Sequence, residues 1–142
     1  MPFKIIGAPW IDAKIFAKKL NEQNLEGVKF QPFYYKPFYG LYKGKDCEGI
    51  KIVITDKKKY LPYKVNCLLL GMLKSLYPDE FMKRLQAFQK RKEMFFKVNG
   101  TDLVYKILME EKYPYWKLAT FYKDELNNFL AKRKKYLIKE YF

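Results

Sequence analysis

Residues 50–55 read Ile-Lys-Ile-Val-Ile-Thr, and the fold turns on this stretch. Every residue except Lys51 is β-branched, and period-two spacing puts Ile50, Ile52 and Ile54 on one face, as a half-buried strand requires. Upstream, Val28 to Tyr35 reads as a second strand, with Pro32 confining it to an edge or bulge because proline cannot donate to a ladder. Between the two lies "YYKPFYGLYKGKDCEGI" (34–50), where Pro37, Gly40 and Gly44 break the chain into loop. With Phe33 this segment carries six aromatic rings interleaved with Lys36, Lys43 and Lys45. Such a mixture suits a nucleic-acid surface, a sugar-binding lip or the rim of a core.

Helices are expected on both sides of the strand pair. Asp12 is the N-cap of a first helix whose Phe16, Ala17 and Leu20 point inward, with Asn24 to Gly27 ending it. After a turn at Asp56, Pro62 opens a second helix striped by Val65, Leu69, Met72, Leu73 and Leu76, which Pro78 stops. Phe81, Leu85 and Phe88 stripe a third helix. The turn Asn99-Gly100-Thr101-Asp102 leads into a fourth, capped by Thr101, with Leu103, Ile107 and Leu108 inward. A last helix runs from about Tyr115 to Lys134 with Leu118, Phe121, Leu126 and Phe129. Few strands and several helices predict an α+β fold: a small mixed β-sheet packed by about four to five helices, in a single domain over residues 1–142. The apolar run Cys67 to Leu73 is too short to span a bilayer and is expected as buried helix.

The net charge is +14, which invites a polyanion, but of 29 basic residues the arginines are Arg84, Arg91 and Arg133. Arginine reads phosphate and guanine bidentately, whereas lysine is the usual solvated surface charge. Binding to nucleic acid is therefore expected to be weak and non-specific. With no histidine in the chain, Ser-His-Asp triads, Cys-His dyads and His-ligated metals are excluded. No metal or other cofactor is expected. Cys47 and Cys67 form no C-x-x-C pair and are expected to be buried and reduced. The leaderless start Met1-Pro2-Phe3-Lys4 predicts a cytoplasmic chain without a membrane partner, and leaves open any longer parent protein.

Candidate chemistry is sparse. Gly40 to Lys45 is one residue short of a phosphate-binding loop, and Asp46 stands where a magnesium-binding hydroxyl is needed. Asp46 and Glu48 would share a strand face at glycosidase-like separation, but such pairs are common on solvated strand ends. Cys47 has no histidine to activate it. Gly40, Gly44 and Gly49 most simply serve positive φ or close backbone approach.

Taken together, "GAPWID" (7–12), "GVKFQP" (27–32), "YKG..C.G" (42–49), "ITD" (54–56), "LYP" (76–78), "NGTD" (99–102) and "FYKDELNNFLAKRKKYLI" (121–138) occur in an order that resembles the C-terminal domain of the bacterial exo-β-N-acetylmuramidases. The resemblance runs from about Ile6 to Ile138 and rests on the ordered set rather than on any one motif. It implies a domain that walls the glycan cleft of a peptidoglycan-directed glycosidase, with the catalytic carboxylates in an N-terminal Rossmann-like domain that this sequence lacks. It implies no catalytic residue here, and substrate contacts at Pro37, Tyr39, Tyr42, Gly44 and Cys47, with Gly49 also matching the pattern. Lys36, Phe38 and Leu41 replace the usual Thr, Thr and Lys, which removes polar sugar contacts. Phe121 stands for a Trp and Lys135 for a Pro. The expected role is an isolated accessory domain, inactive alone, whose partners are a Rossmann-like catalytic domain on a separate chain and a peptidoglycan fragment. The competing readings are a small basic nucleic-acid-binding module and a truncated gene product that keeps only the fold.

Overall fold

The structure, a computed structural model, describes residues 3–87 and 91–138. Its strands are β1 (Ile5–Ala8), β2 (Val28–Tyr35) and β3 (Cys47–Ile54). The helices are α1 (Ala13–Asn21), α2 (Pro62–Leu76), α3 (Pro78–Ala87), α4 (Lys92–Asn99), α5 (Leu103–Glu110), α6 (Tyr115–Leu118) and α7 (Lys123–Arg133). The α+β class is as the sequence predicts. The sheet has the order β1-β3-β2, with β3 in the centre.

The sheet is antiparallel throughout rather than mixed, since both neighbours of β3 run opposite to it. Its first strand was not legible. "IIGA" is only four residues long and becomes a strand because β3 offers it a partner, Ile6 opposite Ile50 and Ala8 opposite Glu48. That approach is very close, and a Cβ on Gly49 would overlap the Ile6 carbonyl. The second edge, β2, carries Pro32 opposite Ile50, where an edge strand tolerates it.

One sheet face packs on α1 and α2. Ala8, Phe16, Leu20, Val28, Phe30, Ile50, Ile52, Val65, Leu68 and Leu69 share one core, and Ile54 lies at its frayed, exposed end. A second core joins Cys67, Phe81, Val104, Ile107, Leu108 and Leu118. Helix α2 supplies both cores, which explains why its sequence is apolar nearly all round. Asp12 caps α1 as expected, its Oδ1 accepting from the Ile15 N–H at 2.8 Å.

Seven helices are described instead of four to five, because two expectations failed. Helix α4 has no fully buried residue, so it left no inward stripe to detect. The expected helix from Tyr115 to Lys134 is broken at 119–122 into α6 and α7. Leu118 is buried before the break, but Leu126 and Phe129 beyond it are 42% and 59% exposed. The turn swings α7 off the body, so its apolar side chains find no core. Leu103, expected inward, is 44% exposed, because it opens α5 at the solvent end of the Gly100 turn; Val104 and Tyr105 are buried with Ile107 and Leu108. The N-cap of α5 is Asp102 rather than the expected Thr101 and makes no side-chain cap bond, although Thr101 Oγ1 accepts from the Leu103 N–H at 3.1 Å. Phe88 lies outside the described residues.

Lys74 is the surprise of the interior, at 7% exposure. Its Nζ donates to the carbonyls of Leu108 at 2.6 Å and Met109 at 3.3 Å, satisfying the C-terminal end of α5. Burial holds its pKa below the usual lysine value, opposed in part by Glu111.

Candidate functional site

The loop of residues 36–46 folds on itself through backbone bonds. The Gly44 N–H donates to the Pro37 carbonyl at 2.9 Å, Lys43 to Gly40 at 3.2 Å, and Lys45 to Tyr42 at 3.0 Å. Gly40 and Gly44 take the left-handed φ values of +88° and +70° that these turns need. Lys36 and Asp46 close its base with an exposed ion pair at 3.1 Å.

Tyr42 anchors the loop to the body. Its hydroxyl accepts from Trp10 Nε1 at 3.1 Å, and the Arg84 guanidinium of α3 stands 5.2 Å from its ring centroid. The Trp10 ring meets Tyr77 edge-on at 5.5 Å. The Tyr77 hydroxyl accepts from the Asp12 N–H at 3.0 Å, and Glu48 Oε2 accepts from the Ala13 N–H at 3.1 Å. Burial raises the Tyr77 phenol pKa; its hydrogen bond with the Asp12 backbone opposes this, and the nearby Asp12 and Glu48 charges add to it. Three segments that are remote in the chain, "GAPWID", "YKGKDCEG" and "LYP", thus meet at one end of the sheet around the N-terminus of α1.

The five expected contact residues divide by position. Tyr39 is 83% exposed at the loop tip, beside Phe38 at 86%. Tyr42 and Pro37 are half-buried, and Gly44 supplies the turn. Cys47 is buried, its Sγ 3.6 Å from the Lys45 carbonyl, and burial pushes its thiol pKa up. It holds the base of the loop in shape and presents nothing to solvent. Both cysteines are buried and unpaired, as expected. Gly49 serves strand approach, as its Cβ overlap shows. Glu48 is held at the α1 N-terminus while Asp46 makes only an exposed surface pair with Lys36, so the two are not a preorganised acid–base pair.

Sequence reasoning missed Trp10, Tyr77 and Arg84 as members of this cluster. Their only signal was membership in the ordered motifs for the first two, and there was none for Arg84. Four concavities are described, and each is lined by residues other than 33–49. The loop projects as a lip, with Phe38, Tyr39 and Leu41 exposed at its tip. Among the described residues no cluster of three or more metal-ligating side chains occurs, and no helix is long and apolar enough to cross a membrane.

A small antiparallel sheet backed by helices, with an aromatic lip pinned at one end, defines an α+β domain. The family profile described as "Exo-beta-N-acetylmuramidase NamZ, C-terminal" matches residues 1–138, and the chain belongs to that family. It is 28% identical over 137 residues to the peptidoglycan beta-N-acetylmuramidase NamZ of Bacillus subtilis, covering 96% of this chain and 31% of that protein. The crystal structure of a DUF1343 family protein from Bacteroides fragilis superposes with a TM-score of 0.79 at 27% identity, covering 96% of this chain and 35% of that one. The chain thus spans about a third of the length of each relative.

Proposed function

We propose that this chain is the accessory half of a peptidoglycan-directed exo-β-N-acetylmuramidase, that its lip walls the glycan cleft, and that it is inactive by itself. The convergence of Trp10, Tyr42 and Tyr77 at the foot of a loop that leaves Tyr39 exposed carries the reading. A sugar presents an apolar face to an aromatic ring and hydroxyls to polar groups around it, and a rigidly mounted tyrosine lip offers both. Within the lip, Tyr39 stacks, Tyr42 orients, and Pro37, Gly44 and Cys47 hold the loop. The similarity to the peptidoglycan beta-N-acetylmuramidase of Bacillus subtilis supports peptidoglycan as the substrate class.

Hydrolysis of a glycoside needs two free carboxylates flanking the scissile bond. Asp46 and Glu48 are not preorganised as such a pair, so the acid and base come from a Rossmann-like partner domain, as the resemblance implies. The purified chain is expected to leave a chromogenic muramide intact. Turnover by this chain alone, abolished by Asp46→Asn or Glu48→Gln, would refute the assignment.

A further inference from the structure

One cation packed against the lip, Arg84 of α3, is unlike its neighbours. Each of the six ion pairs among the described residues is made by a lysine. Arg84, packed over Tyr42, has no carboxylate partner among them, and its Nε is shut off from solvent without a hydrogen-bond acceptor. An arginine fork is built to grip a carboxylate through parallel N–H bonds, so an unpaired one beside a binding lip has chemistry to spare. Its stem also lines an apolar groove of about 250 Å³ formed by Leu70, Phe81, Leu85, Phe95 and Leu108. Apolar walls lower the local dielectric and strengthen an ion pair made at their edge. The Tyr42 ring holds the guanidinium in place, so little rotamer freedom is left to lose on binding.

We propose that Arg84 is a specificity residue of the lip and takes the carboxylate of the bound sugar. The inference rests on the glycan-lip reading above and names what the lip selects. A muramic acid unit carries a lactyl carboxylate on its ring, whereas N-acetylglucosamine shares the ring and the acetamido group and lacks that acid. Arg84 thereby separates a peptide-free muramic acid unit, whose lactyl acid is ionised, from N-acetylglucosamine. Lys92, which also lines the groove, sits 4.7 Å over the Tyr105 ring and adds positive potential without a fork.

The test titrates the purified chain with methyl glycosides of N-acetylmuramic acid and N-acetylglucosamine, followed by amide chemical shifts. Wild type is expected to prefer the acid about tenfold or more, the scale of one hydrogen-bonded charge pair. Arg84→Gln should erase the preference between the two glycosides, and Arg84→Lys should retain only part of it. Esterifying the lactyl acid should have the same effect on the wild-type protein, which keeps the test independent of how the variants fold. Equal affinity for the two glycosides, or a preference that survives in Arg84→Gln, overturns the role of Arg84 and leaves the lip standing. Failure of both glycosides to bind overturns the lip and this inference together.

Discussion

Gly44 and Gly49 both match the pattern of the muramidase C-terminal domain, yet the structure gives them different physical reasons, and alanine separates them. At Gly49 an added Cβ meets the backbone of β1, which cannot rotate away as a side chain could. Either the core is overpacked, at about 1–3 kcal/mol, or β1 detaches and Ile6 loses its burial, at about 1.5–3 kcal/mol. The cost of Gly49→Ala is thus about 2–3 kcal/mol by either route. At Gly44 the site of the Cβ is open, and the strain is that of φ +70° alone. The left-handed penalty of about 1–2 kcal/mol is offset by about 0.4–1 kcal/mol from a less flexible unfolded chain. For a chain of this length one kcal/mol shifts the melting temperature by about 3–4 °C. Calorimetry should therefore find Gly49→Ala melting about 6–12 °C below wild type and Gly44→Ala within about 6 °C of it. Because β1 leads directly to Trp10, Gly49→Ala in a Trp116→Phe background should also shift Trp10 emission. Equal losses at the two glycines, or a Gly49→Ala protein as stable as wild type, would refute the strand-approach argument.

Further expectations concern the interior, the first helix and the charge. Lys74 has a depressed pKa, so between its native value and the unfolded 10.5 the unfolded state binds more protons and stability rises with pH. Lys74→Met should remove that alkaline rise; melting curves of the two proteins that stay parallel from pH 8 to about pH 10.5 would sink the idea. Asp12→Ala removes the cap on Ile15 and should cost about 1 kcal/mol, read as a lowered urea midpoint at unchanged slope. Oligonucleotide binding should be weak, indifferent to sequence and lost at moderate salt, since Lys36 is already paired with Asp46. Tight single-strand binding in physiological salt, impaired by Tyr39→Ala, would instead favour a nucleic-acid module.

The sequence by itself determined what depends on neighbours along the chain. The alternation that buries Ile50 and Ile52, the proline of β2, the cap at Asp12, the proline opening α2 and the turn glycines of the lip are local constraints, and each is found where its residues place it. The ordered motifs likewise pointed to the family. What only the tertiary structure decided depends on partners brought from far away. Four residues become β1 because β3 lies beside them, and Lys74 is buried because the carbonyls ending α5 receive it. The apolar residues of α7 stay exposed because a break of a few residues turns them away from any core. The lip itself joins Trp10, Tyr42, Tyr77 and Arg84 across gaps of up to 74 residues. No local pattern announces such a meeting, since burial, hydrogen-bond partners and unpaired charge are properties of packing and exist only once distant elements touch.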